Sequence, residues 1–345
     1  MNTSGDFKHI VIVLATYNGE KYLAEQIKGI QGQTISNWTL LVRDDGSQDH
    51  TRIILEDFAA NDERICMVHD EPGRLGTTGN FGVLMRTAAA ETADLVLFSD
   101  QDDVWLPDKM VKQIQLLHDL EDRYGTGMPL LTYSDMEVVD ENLRQIHPSF
   151  MRYQRQRHEP SNPIDVLLTQ NFVAGCTVAI NRPLLEFAIP LPDEIQLHDW
   201  WLAVCAAACG RIGYIDEPLV QYRQHASNEV GAVTVPGIFN FFSTAYRKRL
   251  SRPTSAVLTP IRQAAALGER LRIRKVECSS DVRRVIDAFA SCAGVGVWRR
   301  ILTVYRLPLR RQGLLRNLLW FARLMCSRKP RKINAVAAAN ASMRP

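Results

Sequence analysis

Runs of apolar, mostly β-branched residues alternate with segments of helical period along the first 120 residues. The run His9–Ala15 (HIVIVLA) is typical of a strand buried on both faces, and Gly19–Gln33 has apolar residues at helical spacing. The alternation continues through the strands Trp38–Val42, Ile65–His69 and Leu95–Phe98 and the helices Thr51–Ala60, Gly79–Ala90 and Pro107–Leu120. Strands joined by helices need crossover connections, so the sequence predicts an α/β fold with a doubly wound, mostly parallel sheet.

The second half of the chain differs from the first in its pattern of predicted elements and in its charge. Leu130–Ser134 and Thr177–Ile180 are predicted strands separated by a polar loop over residues 144–163, and Asp199–Cys209 is a predicted helix. Four helices are predicted beyond residue 231, namely Phe239–Leu250, Ser255–Ile273, Val282–Cys292 and Gly313–Met325. Residues 241–345 carry 23 Lys and Arg against 4 Asp and Glu, a net charge of +19, whereas residues 1–240 carry −16. We expect an α/β body over 1–235, a basic helical extension over 236–330 and a flexible tail over 331–345.

Polar clusters follow three of the predicted strands directly. They are Thr16-Tyr17-Asn18, Asp44-Asp45 and Asp100-Gln101-Asp102-Asp103. Ligands of such sheets bind beyond the carboxyl ends of the strands, so the three clusters are expected to converge on one cleft. Crowded carboxylates repel one another, and Mg²⁺ or Mn²⁺ would relieve the repulsion at Asp100–Asp103 while bridging diphosphate oxygens. A solvated acidic turn that caps the next helix is the alternative.

Four further residues have both a functional and a structural interpretation. An aspartate of the pair Asp44-Asp45 can accept from a nucleobase N–H or a ribose hydroxyl, and Tyr17 can stack on a base, although aromatic residues more often pack. Asp199 starts a helix beside two tryptophans, which suits either a general base with apolar walls or a helix cap. His225 is a candidate metal ligand or diphosphate donor, although a single histidine is usually neither.

Several classes of protein are disfavoured. Neither Gly-x-Gly-x-x-Gly nor Gly-x-x-x-x-Gly-Lys-Ser/Thr occurs, so neither a dinucleotide dehydrogenase nor a P-loop protein is expected. The seven cysteines form no Cys-x-x-Cys pair, which argues against disulfides and zinc. The polar N-terminus and the lack of long apolar runs favour a cytoplasmic protein without a spanning helix.

Six motifs, in this order, resemble the family 2 glycosyltransferases with the GT-A fold. They span residues 8–230 and are Ala15-Thr16-Tyr17-Asn18-Gly19-Glu20, Asp44-Asp45-Gly46-Ser47, Gly79-Asn80-Phe81, Ser99-Asp100-Gln101-Asp102-Asp103-Val104-Trp105, His198-Asp199-Trp200-Trp201 and Tyr222-Arg223-Gln224-His225. The fourth and fifth are most similar to the rhamnosyltransferase-like branch, which builds bacterial surface polysaccharides. His198 departs from the pattern, because many relatives carry a carboxylate at this position.

The resemblance implies a role for each matching residue. Ala15, Thr16, Tyr17, Asp45, Asn80 and Asp100 would form the nucleotide pocket, with Tyr17 stacking on the base and Asp45 reading the pyrimidine N–H. Asp102 and Asp100 would hold the metal, with His225 as a further ligand, and Asp199 would be the catalytic base. The Gln-x-x-Arg-Trp signature of processive synthases is missing, so transfer of one sugar at a time is expected.

The resemblance also implies the reaction and its partners. The expected activity is inverting, metal-dependent transfer of a single sugar, rhamnose from dTDP-rhamnose first, onto a saccharide or lipid-linked oligosaccharide in O-antigen or exopolysaccharide synthesis. A UDP-hexose donor such as UDP-galactose or UDP-glucose is the alternative, followed by a sugar nucleotidyltransferase or a non-catalytic nucleotide-binding protein. The basic extension would meet an anionic membrane surface at the inner face of the cell membrane or merely face water, and no nucleic acid is expected.

Overall fold

The computed structural model describes residues 9–70, 73–225 and 255–326. Its body comprises β1 (Ile10–Thr16), α1 (Leu23–Gln31), β2 (Thr39–Asp44), α2 (Thr51–Asn61), β3 (Ile65–Met67), α3 (Gly76–Ala90), β4 (Leu95–Ser99), β5 (Val104–Trp105), α4 (Lys109–Tyr124), β6 (Leu130–Val139), β7 (Gln145–His147), α5 (Phe150–Tyr153), α6 (Ile164–Leu167), β8 (Ala179–Asn181), α7 (Arg182–Ala188), α8 (His198–Cys209) and β9 (Arg211–Arg223). Its C-terminal part comprises α9 (Ser255–Ile273), α10 (Ser280–Ala290), α11 (Val297–Arg306) and α12 (Leu314–Cys326).

The strands form one sheet in the order β3-β2-β1-β4-β8-β6-β9-β5, with β7 paired to β6. The half that contains β3, β2, β1 and β4 is entirely parallel, which confirms the predicted βαβ crossovers. The other half is mixed, because β8 runs antiparallel to both β4 and β6 while β6 and β9 are parallel. The α/β fold class is confirmed, and the parallel character holds for the first half of the sheet.

Several elements differ from the prediction. The predicted loop over 144–163 contains β7 and the short helix α5, and neither β9 nor α11 was predicted. Strand β9 lacks a continuous apolar run, because several of its residues are exposed or half-buried, so the hydrophobic pattern does not predict it. The predicted helix Phe239–Leu250 and the tail over 331–345 lie outside the described residues, and the domain boundaries stay predictions.

Two apolar layers cover the two faces of the sheet. Alternate residues of β1 enter each layer, with Val11 and Val13 on one side and Ile12 and Leu14 on the other. The layer that holds Val11 also contains the buried residues of α8 and of α9 to α12. The described helices of the basic extension therefore share a core with the body.

Candidate active site

A cavity of about 1060 Å³ opens where β1, β2 and β4 end. Every side chain that the sequence assigned to the site lines it: Ala15, Thr16, Tyr17, Asp45, Asn80, Asp100, Asp102, Asp199 and His225. The strand-end rule predicts this convergence for the residues that follow β1, β2 and β4, whereas Asp199 in α8 and His225 after β9 reach the cavity from other parts of the fold. Their individual roles in binding and catalysis stay predictions.

Asp45 is held in place by three donors at the end of β2. Its Oδ1 accepts from Arg43 Nη1 and from the backbone N–H of Leu75, both at 2.8 Å, and its Oδ2 accepts from the N–H of Gly76 at 2.7 Å. The carboxylate is therefore buried, paired with a buried arginine, and fixed to the start of α3. Its neighbour Asp44 instead caps the turn, accepting from the N–H of Ser47 at 3.0 Å.

Contacts with its ring and with its backbone orient Tyr17. The guanidinium of Arg74 lies 3.9 Å from the Tyr17 ring centroid, on the ring that the sequence assigned to base stacking. Gln101 clamps the Tyr17 backbone, accepting from its N–H at 2.9 Å and donating to its carbonyl oxygen at 3.0 Å. A Cβ at Gly19 would lie 2.3 Å from Gln101 Oε1, so a larger residue at position 19 would displace the Gln101 amide from this contact. Nothing in the sequence pattern singled out Arg74 or the Gln101 clamp, because both contacts join distant segments.

Asn80 has a structural contact in this structure. Its amide nitrogen donates to the carbonyl oxygens of Arg43 at 3.1 Å and Thr16 at 3.4 Å, at the ends of β2 and β1. The side chain is buried but also lines the cavity, and its contact with a nucleotide stays a prediction.

The acidic turn after β4 brings carboxylates and a histidine together. His225 Nε2 lies 2.9 Å from Asp102 Oδ2, so the last motif of the body folds back onto this turn. One ligand atom from each of Asp100, Asp103 and Cys176 lies within 4.8 Å of the others. Burial, followed by the charges of Asp102 and Asp100, raises the pKa of Asp103 well above its ordinary value.

Asp199 lies in the first turn of α8, as predicted. Its Oδ1 accepts from the backbone N–H of Trp200 at 2.5 Å, and the Gly175 backbone and the Asn171 side chain also hydrogen-bond to the carboxylate. Burial nevertheless dominates and raises the pKa of Asp199 to about 7. A carboxyl group with this pKa can take up and release a proton near neutral pH.

His198 gives Asp199 a neutral neighbour. Its ring stacks on Phe81 at a centroid distance of 3.8 Å and lies 5.5 Å from Phe98. Among the described residues, neither ring nitrogen has a hydrogen-bond partner, and burial lowers the pKa of His198 to about 3. The imidazole therefore stays uncharged at neutral pH and adds no charge of its own beside Asp199.

Comparison with known proteins identifies the family. The model for glycosyl transferase family 2 matches residues 11–180. The dTDP-rhamnosyl transferase RfbG of Shigella flexneri is 30% identical over 228 residues, which cover 64% of this chain and 74% of that protein. The chain belongs to glycosyl transferase family 2.

Two further comparisons extend this result. The UDP-Glc:alpha-D-GlcNAc-diphosphoundecaprenol beta-1,3-glucosyltransferase WfgD of Escherichia coli is 28% identical over 193 residues, covering 55% of this chain and 68% of that protein. The crystal structure of Staphylococcus aureus TarS residues 1–349 with UDP superimposes with a TM-score of 0.54 at 16% identity, covering 92% of this chain and 88% of that one. The second likeness shows that this glycosyltransferase has the GT-A fold.

The residues of this family 2 glycosyltransferase fit a divalent cation. The carboxylates of Asp100 and Asp102 line the cavity together with His225, whose Nε2 lies 2.9 Å from Asp102 Oδ2. Carboxylate oxygens are the ligands that suit Mg²⁺ or Mn²⁺. Asp103, the last acidic residue of this turn, is buried, and its Oδ1 accepts from the backbone N–H of Arg223 at 3.1 Å, a contact between segments far apart in the chain.

The C-terminal part of the glycosyltransferase also reaches the cavity. Five of its residues line the wall: Arg311, Leu315, Arg316, Leu319 and Arg323. From the sequence, this basic segment is expected to face a membrane or water. The i, i+4 spacing of Leu315, Leu319 and Arg323 is the one sequence signal that these residues share a helix face that could contact something else. No helix in the described part of the chain is long and apolar enough to span a membrane.

Proposed function

We propose that this glycosyltransferase transfers a single sugar from a nucleoside diphosphate to an acceptor hydroxyl with inversion, and that the reaction depends on a divalent metal. The observation that carries the proposal is Asp199, whose pKa burial raises to about 7 in the cavity that also holds Tyr17, Asp45 and the acidic turn. The candidate base and the candidate nucleotide pocket thus lie in the same cavity.

The geometry supports a single displacement. The Asp199 carboxylate takes the proton of the acceptor hydroxyl while the hydroxyl oxygen forms a bond to the anomeric carbon. The bond from that carbon to the diphosphate oxygen breaks on the opposite face, so the configuration inverts. Asp100, Asp102 and His225 would hold the metal, whose chemistry when bound is to neutralise charge on the departing diphosphate.

For the donor we propose dTDP-rhamnose, on the strength of the similarity to RfbG. A UDP-hexose is the second candidate, because WfgD is a UDP-Glc-dependent glucosyltransferase. The acceptor would be a saccharide or lipid-linked oligosaccharide of a bacterial surface polysaccharide. Membership of the family favours transfer over the nucleotidyltransferase and non-catalytic alternatives.

A thermal-shift panel of nucleotide sugars with Mn²⁺ or Mg²⁺ tests the donor and the metal, because a ligand of the folded state raises its apparent stability. One nucleoside diphosphate sugar should stabilise the wild type, and EDTA or Asp102→Ala should remove this effect, whereas the exposed control Asp119→Ala should keep it. Product analysis with the donor so identified should then show loss of transfer in Asp199→Asn with donor binding retained. Loss of donor binding in Asp199→Asn, or metal-independent transfer, would contradict the proposed roles.

We further propose that α11 and α12 contact an anionic membrane surface from the cytoplasmic side. Their exposed apolar residues are Trp298, Leu302, Tyr305, Leu314, Leu318 and Met325. Exposed cations, Arg299 and Arg306, flank the stripe on α11, and the segment 241–345 has a net charge of +19. Apolar side chains bordered by arginine are typical of helices that lie in a membrane interface.

Co-sedimentation of the full chain with vesicles tests this surface. Binding should be stronger to phosphatidylglycerol than to phosphatidylcholine vesicles, and the double variant Trp298→Ser, Leu302→Ser should weaken it. Ile53→Ser is the matched control, because Ile53 on α2 is also exposed, at 63%. Equal binding by the double variant and the wild type would contradict a membrane contact through α11.

A further inference from the structure

The end of β9 is fixed to the acidic turn that follows β4. Val104 of β5 pairs with Gln221 of β9 in antiparallel register. Immediately before Val104, the buried carboxylate of Asp103 accepts from the backbone N–H of Arg223 at 3.1 Å. The main chain is therefore anchored to the acidic turn two residues before His225.

The side chain of Arg223 ties three further segments together. It is buried, with only 1% of its surface exposed. Its Nε donates to the carbonyl oxygen of Asp102 at 2.9 Å, and its Nη1 donates to the carbonyl oxygen of Glu141 at 2.7 Å. Its Nη2 forms an ion pair with Glu25. One guanidinium group thus joins the acidic turn, the turn after β6 and helix α1.

Tyr22 connects this arrangement with His225. The Arg223 guanidinium lies 4.4 Å from the Tyr22 ring centroid, and the His225 ring centroid lies 4.9 Å from the same point. The Nε2 of His225 lies 2.9 Å from Asp102 Oδ2. Tyr22, Asp102 and His225 line the cavity, whereas Arg223 is not among the described residues that line it. Arg223 therefore contacts the surroundings of both candidate metal ligands and does not itself face a ligand in the cavity.

From these contacts we propose that Arg223 is a positioning residue of the metal site, which holds Asp102 and His225 beside each other as ligands of the divalent cation. The inference rests on the proposed function and deepens it. Groups that hold metal ligands in place typically change metal affinity by about 10- to 100-fold when they are replaced. A buried ion pair that served only the stability of the fold would leave the metal affinity unchanged.

Charge and position predict opposite results for Arg223→Met. The guanidinium is a cation near the acidic turn, so its removal by charge alone would strengthen the attraction for Mn²⁺. Loss of its hydrogen bonds to Asp102 and Glu141 should instead let the two ligands move apart and weaken Mn²⁺ binding. Arg223→Lys keeps the charge but lacks the planar set of donors, so its affinity should lie between those of the wild type and Arg223→Met.

Titration of the full chain with Mn²⁺, followed by the electron paramagnetic resonance of free Mn²⁺, measures the affinity without turnover. It is carried out with Mn²⁺ alone and with saturating UDP or dTDP. Arg223→Met should bind Mn²⁺ at least about tenfold more weakly than the wild type. In pulsed spectra, the coupling of Mn²⁺ to an imidazole nitrogen should be present in the wild type and reduced in this variant. Arg211→Met is the matched control, because Arg211 is an exposed arginine at the other end of β9.

A second pair of variants avoids replacing a buried cation. The side chain of Glu25 is 53% exposed, so its replacement endangers folding less. Glu25→Gln and Glu25→Ala remove the same charge, but only alanine removes the acceptor of the Arg223 guanidinium. Mn²⁺ binding should therefore be severalfold weaker in Glu25→Ala than in Glu25→Gln. This pair decides the question if circular dichroism shows that Arg223→Met is unfolded.

The outcomes separate this inference from the proposed function. Mn²⁺ affinity in folded Arg223→Met that equals or exceeds that of the wild type would overturn the positioning role and leave the metal dependence intact. Equal affinities of the two Glu25 variants would also overturn it. Failure of the wild type to bind Mn²⁺, both alone and with UDP or dTDP, would overturn the metal dependence in the proposed function, and this inference with it.

Discussion

Replacing Asp199 by asparagine should change how stability depends on pH as well as remove activity. Burial raises the pKa of Asp199 from its ordinary value of 3.8 to about 7. The folded protein therefore holds this proton more tightly than the unfolded chain. The resulting stabilisation is fully present below about pH 3.8 and is lost as the pH rises through about 7. At 1.36 kcal/mol per pKa unit, the whole effect is roughly 4 kcal/mol, of which about 3 kcal/mol falls between pH 5 and pH 8.5.

The assay is thermal denaturation of the wild type and Asp199→Asn between pH 5 and pH 8.5. Asparagine does not titrate, so any fixed cost of the substitution cancels when the Tm difference is followed against pH. With an unfolding entropy of about 2.1 cal/mol/K per residue, a change of ~3 kcal/mol corresponds to about 4 °C in Tm. The Tm of the variant should therefore rise by about 4 °C relative to the wild type as the pH increases across this range. Asp119→Asn, which removes an exposed carboxylate, is the matched control.

The same protonation governs the rate. Transfer by the wild type should fall about tenfold per pH unit below pH 7, because the base must be ionised to accept the acceptor proton. A Tm difference that is constant across this range would refute the buried, titrating carboxyl. A transfer rate that does not change between pH 5 and pH 8 would refute its role as the base.

Three further substitutions test other parts of the structure. Tyr17→Ala should weaken nucleoside diphosphate binding by about tenfold through lost stacking, whereas Tyr17→Phe should keep it; equal affinities measured by calorimetry would exclude the stack. Gln101→Glu keeps the size but loses the amide donor to the Tyr17 carbonyl oxygen, so the same titration should show severalfold weaker binding. Gly210→Ala would place a Cβ 1.9 Å from the Pro129 carbonyl oxygen, so urea unfolding should show a loss of about 2 kcal/mol or more, unlike Gly294→Ala, which has open space.

The sequence by itself determined the parallel half of the sheet and the meeting of the polar clusters at its strand ends. The runs around Val11, Leu41 and Val96 are apolar enough to be strands buried on both faces, and helices between them require parallel pairing. Parallel strands end at the same edge, so the clusters at Tyr17 and Asp45 had to meet. This conclusion needs only local pattern and topology, and it covers the assigned side chains at the ends of β1, β2 and β4.

Only the tertiary structure decided the pKa values of the cavity residues and the contribution of the C-terminal helices to the cavity wall. The pKa of Asp199 depends on burial by segments distant in the chain, and no local pattern measures burial. The same holds for Arg74 on the Tyr17 ring and for Arg316, more than a hundred residues beyond Asp199 in sequence. A basic amphipathic helix has the same sequence pattern whether its cations face water, a membrane or a cavity. The position of the helix in the fold decides which of these its cations face. Because the Trp320 face packs onto the core, Arg316 and Arg323 line the cavity.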